Sequence, residues 1–287
     1  MKNKIFKNIV YIFTLFTILL LFTLIIFLYN QSLPFFLKNN FLNFIFGKVW
    51  DATEIYGSFG IFNILLASVL ISILACIISL PIAIGTALFI CFYTNKSRVI
   101  LMWLINILAG IPSIIYGFFG MIIIVKNLEK IFKISAGESV LAGSIILSIM
   151  ILPYFVSNLV ETIEIIKAKY KKDSDALGIS KEYFIRKIVF KKLNYSILTG
   201  FMISFSRAIG ETMAVMMVIG NAPIFPKLLS KAQTIPSLIA LEIGMSEVYS
   251  EHYYALFASG FALLILVLII NIIIFLVNRK SRSYDKI

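Results

Sequence analysis

The chain has 287 residues, 60% of them hydrophobic and only 14% charged, with 26 Lys+Arg against 14 Asp+Glu for a net charge of +12. Soluble domains carry about 45–50% apolar and about 25% charged residues, so this much apolar side chain requires the bilayer as its solvent. Cytosolic enzymes, secreted enzymes and disordered chains are excluded, and the basic excess fits positive cytoplasmic loops rather than a nucleic-acid partner.

Runs without charge of about 20 residues read as spanning helices. The first, Ile9–Tyr29, follows Lys2, Lys4 and Lys7. It is too long for a signal-peptide core and no A-x-A site follows, so it reads as a retained anchor. The loop Asn30–Phe59 is polar and aromatic, and its residues assign it no role. No charge falls between Glu54 and Lys96, which places a second span at Asn63–Phe89 with Pro81 near its end.

The third span, Val99–Val125, contains LAGIPSIIYGFFG, Leu108–Gly120. Gly110, Pro112, Gly117 and Gly120 loosen or kink it, either as plain packing or as a gate hinge at Pro112 and Gly117. The fourth span is Ser139–Val160, the fifth Leu193–Gly220 and the sixth Tyr254–Asn278. Asn221-Ala222-Pro223 reads as a turn that ends the fifth.

Six spans put both termini on one side of the membrane. With the termini inside, the inner segments hold 18 Lys and Arg, including Lys96 and Arg98, and the outer loops hold 7. The asymmetry predicts cytoplasmic termini. The expectation is an all-α polytopic membrane protein. Residues 1–59 form an anchor helix and extracytoplasmic loop, 60–278 a transmembrane domain with a cytoplasmic loop at 161–192, and 279–287 a cytoplasmic tail.

Nothing catalytic is legible. Cys76 and Cys91 are fifteen residues apart in one apolar stretch. On a helix that is about 22 Å, too far for a disulfide. His252 is the only histidine, and no His/Cys/carboxylate spacing fits a metal, so neither a metal nor a cofactor is expected. The only Gly-Lys, Gly47-Lys48, is followed by Val49 and is not a P-loop. The chain reads as a non-enzyme, and any ATP hydrolysis must come from another subunit.

The segment Glu161–Lys192 carries nine Lys and Arg. Ile163, Ile166 and Tyr170 recur at helical spacing, Gly178 breaks the run, and Ser180 can cap a new helix bearing Phe184 and Ile188 on one face. Such a helix–turn–helix either lies on anionic lipid or offers its apolar face to a cytoplasmic partner.

Arg207 and Glu211 sit inside the fifth span, where each charge costs about 2.5–3.5 kcal/mol on insertion scales. Four residues apart on a continuous helix, they would share a face. Ser206 and Gly210 give that face a small-xxx-small pattern open to another helix. The pair is either a packing ion pair or a polar point on a transport path, where the planar fork of arginine suits an oxyanion. Met213, Met216 and Met217 follow and read as core packing.

Several motifs together resemble the membrane-spanning permease of bacterial phosphate-specific ABC importers. SRAIGETMAVMMVIGNAP, Ser206–Pro223, is the most specific, with IPSLIALEIG at Ile235–Gly244 and HYYALFASG at His252–Gly260. LAGIPSIIYGFFG is shared by both permease types of that system, and the others are closer to the C-type. The likeness runs from about Ser58 to Asn278.

The resemblance implies the type I ABC importer permease fold. It also implies a second homologous permease, two ATPase subunits and an extracytoplasmic phosphate-binding protein as partners, all at the cell membrane. It places Arg207 and Glu211 on the substrate path. It makes 161–192 the ATPase-coupling loop, with Gly178 and Ile188 on the motif positions. Lys172-Asp173-Ser174 stands where E-A-A is expected, and Phe190-Lys191 where L-P is expected. The rival readings are another tetrahedral oxyanion (molybdate, tungstate or sulfate), an ion-coupled secondary carrier and a membrane signalling scaffold.

Overall fold

The structure, a computed structural model, describes residues 2–52, 57–94 and 97–284, with side chains placed between Phe6 and Leu276. Lys96 and the side chains of the 279–287 tail, both counted above in the inner segments, lie outside the described residues, as does Glu54. In chain order the elements are α1 (Lys2–Lys38), α2 (Phe41–Phe46), β1 (Trp50–Asp51), β2 (Ser58–Phe59), α3 (Phe62–Phe92), α4 (Arg98–Gly110), α5 (Ser113–Phe119), α6 (Lys126–Phe132), α7 (Val140–Ala176), α8 (Lys181–Tyr183), α9 (Phe190–Ile209), α10 (Met213–Met216), α11 (Ile235–Glu242) and α12 (Glu251–Tyr284). π-Helical turns at Gly120–Val125 and Phe184–Val189 join α5 to α6 and α8 to α9.

Among the described residues, α1, α3, α7 and α12 are long and apolar enough to cross a membrane. A fifth crossing is reached if α4 and the helix Ser113–Phe132, bent by 92°, count as one broken span. The bend has a local cause. Ile111 precedes Pro112 and is extended (φ −69°, ψ 128°), the conformation that a following proline imposes.

The fifth predicted span differs most from expectation. α9 stops at Ile209, and Gly210 closes it in a tight turn before the single turn of α10. The fourth differs in the other direction. α7 runs 37 residues, about 55 Å against a hydrocarbon core of about 30 Å. The basic stretch up to Ala176 is therefore the same rod, not a separate helix.

The chain forms two compact units. One combines Met1–Phe62 with Leu238–Leu266. Its helix α1 is exposed on nearly every described side chain between Phe6 and Tyr29, with no polar stripe, as expected of a helix with lipid around it. Aromatic contacts join the end of α1 to α2, β1 and β2. Phe35 packs against Phe44 and Phe59 at centroid distances of 4.9 and 5.9 Å, and Trp50 packs against Phe59 at 5.3 Å. One Glu242 oxygen accepts from Trp50 Nε1 (2.9 Å) and pairs with His252 Nε2 (2.8 Å), which pins the β1–β2 hairpin to the α11–α12 turn.

The other unit combines Asn63–Ser237 with Val267–Ile287. α7 is its spine and pairs with α9. Ile146, Ile151, Phe155, Leu159 and Ile163 line its fully buried face. α9 meets that face through Gly200, where an added methyl group would sit 3.1 Å from the Phe155 ring. α3 buries Ala67, Ser68, Ala75, Ser79, Ala83 and Ala87, small side chains that let helices approach closely in a membrane.

Candidate functional site

Arg207 lies in the last turn of α9. It is fifteen residues beyond Lys192, which puts it about 22 Å along the axis from the basic end of the helix. Its guanidinium carbon stands 5.0 Å from the centroid of the Tyr154 ring on α7. Among the described residues it makes no hydrogen bond within 3.5 Å and no ion pair within 4 Å, and it is exposed in the isolated chain.

The expected shared face with Glu211 does not exist, because the helix ends between the two residues. Glu211 is half-buried, and its Oε1 accepts from Ala214 N (3.4 Å) at the start of α10. The carboxylate thus serves a backbone donor left open by the helix break.

Ser206, beside Arg207, shares hydrogen bonds of 3.0 and 3.1 Å with the Asn271 amide on α12. The small face of α9 therefore receives another helix, as its composition implied, but through Ser206. Gly210 has only the Ser206 carbonyl near its open side, at 3.8 Å.

A cavity of about 300 Å³ opens next to Arg207's partner, lined by Tyr154, Ser157, Asn158, Glu161, Ile203 and Ala109. Polar groups continue along the α7–α9 seam. Ser196 Oγ donates to Asn158 Oδ1 (2.7 Å), and Thr162 Oγ1 donates to Ser196 Oγ (2.8 Å).

Pro112 lies at the 92° bend, but Gly117 does not. It sits inside α5, where an added methyl group would lie 2.8 Å from Met217 Sδ and 3.0 Å from Ala214 Cα. Gly117 is a close-approach residue for α10. Beyond α10 the chain turns at Asn221 (φ 47°), whose side-chain amide donates to the Met216 carbonyl (2.7 Å). The returning segment is tied to the start of α7. Ser139, Val140 and Leu141 N–H groups donate to the carbonyls of Val218, Ser230 and Leu228, and Lys231 pairs with Glu138 at 2.7 Å.

At the basic end, Gly178 turns the chain in the left-handed region (φ 67°), and Ser180 Oγ accepts from Tyr183 N (3.3 Å) to cap the next helix. On the apolar face of that helix, Phe184 is closed to a partner. Phe184 is fully buried within this chain against Phe92, 6.1 Å between centroids. Ile188 is half-buried. The ammonium of Lys181 sits 3.5 Å above the Tyr93 ring, and that of Lys167 donates to the Cys91 carbonyl (2.6 Å) at the end of α3. Among the groups left outside are Leu177, 77% exposed, Tyr183, 54% exposed, and the carboxylate of Asp173.

Sequence reasoning missed Tyr154 and Asn271. Asn271 carries a signal, an amide inside an otherwise apolar sixth span, whereas Tyr154 carries none until α7 and α9 are paired. Among the described residues no group of three or more His, Cys, Asp or Glu is placed to hold a metal ion.

The family described as binding-protein-dependent transport system inner membrane component matches residues 79–283. The probable ABC transporter permease protein YqgH of Bacillus subtilis (strain 168) is 30% identical over 256 residues, covering 88% of this chain and 83% of that one. The probable phosphate transport system permease protein PstC of Methanocaldococcus jannaschii is 32% identical over 246 residues, covering 79% and 78%. A chain of the MetNI methionine ABC transporter in an inward-facing conformation superposes with a TM-score of 0.54 at 14% identity, over 75% of this chain and 91% of that chain. The last likeness concerns fold alone. By the extent of these matches, the chain belongs to the binding-protein-dependent transport system inner membrane component family, the permeases of ABC importers.

Proposed function

We propose that this permease carries inorganic phosphate across the cytoplasmic membrane, with Arg207 as the group that meets the anion. The observation that carries the reading is a guanidinium in the last turn of α9 that makes no hydrogen bond or ion pair among the described residues. A buried or membrane-embedded charge without a carboxylate is costly, and a transient oxyanion supplies the missing partner. The name of the archaeal relative, a phosphate transport permease, points to the same cargo.

In this reading the spans are α1, α3, the broken α4–α6 unit, α7, α9 and α12, with both termini in the cytoplasm. α9 is short for a span but is extended by the α10 turn, and its Lys191 and Lys192 lie at the inner interface, where snorkelling lowers their cost. A second homologous permease completes the path. Two ATPase subunits dock at the Gly178 turn through Leu177 and Tyr183, with Asp173 at the edge and Ile188 supporting from within. An extracytoplasmic binding protein delivers phosphate, and alternating access follows ATP binding, with Pro112 as the hinge.

The test is uptake of radiolabelled phosphate in a host lacking its own permease, with this chain and its partners expressed. Wild type and Arg207→Ala run side by side, and pull-down of the ATPase checks assembly. Uptake by wild type that is lost in the variant, with the complex intact, supports the reading. A complete complex that carries molybdate or sulfate but not phosphate overturns the cargo.

A further inference from the structure

Arg207 is held by a ring and not by a carboxylate. Guanidinium donors point outward in its plane, so an aromatic face beneath it fixes the plane without consuming a donor. A carboxylate in the same place would neutralise the charge and occupy the fork. The acidic groups nearby are engaged or displaced. Glu211 caps α10, and Glu161 lies seven residues further along α7, about 10 Å along the axis.

The register of the α7–α9 pair is locked at two levels below Arg207. Gly200 packs on Phe155, and Ser196 bonds to both Asn158 and Thr162. Above them, Ser206 is tied to Asn271. These contacts set the register that brings the Tyr154 ring to the guanidinium.

We propose that Tyr154 is a positioning residue for Arg207: its ring, in cation–π contact with the guanidinium, leaves an unpaired guanidinium edge for a tetrahedral oxyanion. The proposal rests on the reading of Arg207 as the anion-binding group. The Tyr154 hydroxyl has no part in it, so phenylalanine suffices and an apolar side chain without a ring face does not.

The experiment replaces Tyr154 in the assembled importer with phenylalanine and with mono-, di- and trifluorinated phenylalanines. These keep the ring's shape and progressively remove its negative face. Tyr154→Leu and Arg207→Ala run beside them, and ATPase pull-down confirms assembly of each. The readout is the initial rate of phosphate uptake, or of molybdate uptake should wild type not carry phosphate.

The expected result is wild-type uptake in Tyr154→Phe and a stepwise fall with each fluorine. Over the series the fall is on the order of 2- to 30-fold, the range of a cation–π contact. A purely packing role would leave the series flat. A flat series together with an inactive Arg207→Ala overturns the positioning role and leaves the transport reading standing. Full uptake in Arg207→Ala, or a wild-type complex that carries neither anion, overturns both.

Discussion

Arg207 and Glu211, four residues apart in the chain, are separated by the end of a helix and form no ion pair within 4 Å. The arginine turns to Tyr154, and the glutamate turns to the backbone of Ala214. The two charges therefore answer to different substitutions.

For Glu211 the acceptor oxygen matters more than the charge. Glu211→Gln keeps an oxygen for the Ala214 N–H and should retain most uptake. Glu211→Ala leaves that donor open and should destabilise the α10 turn by about 1 kcal/mol, the usual cost of a lost cap. Parallel uptake assays and thermal melts in detergent check this. Equal loss in both variants would show that the charge itself is required.

For Arg207 the fork matters. Arg207→Lys keeps the charge but loses the planar pair of donors and the stacking on Tyr154. Uptake should fall by at least about tenfold, since a charge-assisted hydrogen bond of about 1.5–3 kcal/mol is removed. Uptake near wild type in Arg207→Lys would reduce the requirement to a point charge.

Much of this architecture was legible in the sequence because the bilayer imposes simple rules. Charge gaps placed α1, α3 and α12, and Gly178 followed by Ser180 marked the turn that the structure has there. The break in α9 was not legible, because Arg207 and Glu211 at helical spacing imitate an ion pair on one face. Nor was the burial of Phe184. An amphipathic helix reads the same whether its apolar side meets a partner or its own chain. The packing of Phe35 against Phe59 joins residues distant in sequence, which no local pattern encodes.

The buried and exposed sides of the basic segment should separate stability from assembly. Phe184→Ala empties a fully buried site beside Phe92 and should lower stability by about 3–5 kcal/mol. Leu177→Asp changes an exposed side chain and should leave the melting temperature unchanged while weakening ATPase pull-down. Intact pull-down in Leu177→Asp would move the docking surface away from the Gly178 turn.

The approach of α5 to α10 gives the last prediction. A methyl group at Gly117 would meet Met217 Sδ at 2.8 Å and Ala214 Cα at 3.0 Å. The sulfur lies near the end of a flexible side chain and can move, but the Ala214 backbone moves only with α10 itself. Overpacking of this kind costs about 1–3 kcal/mol. Gly117→Ala should therefore slow uptake through the displaced α10, which Glu211 caps. Adding Met217→Ala removes one of the two clashes and should restore uptake only in part. Gly85→Ala, in α3 with nothing within 4 Å of the added methyl group, is the matched control and should be silent. Full rescue by Met217→Ala would mean that the Ala214 backbone yields, and that α10 is not held rigidly against α5.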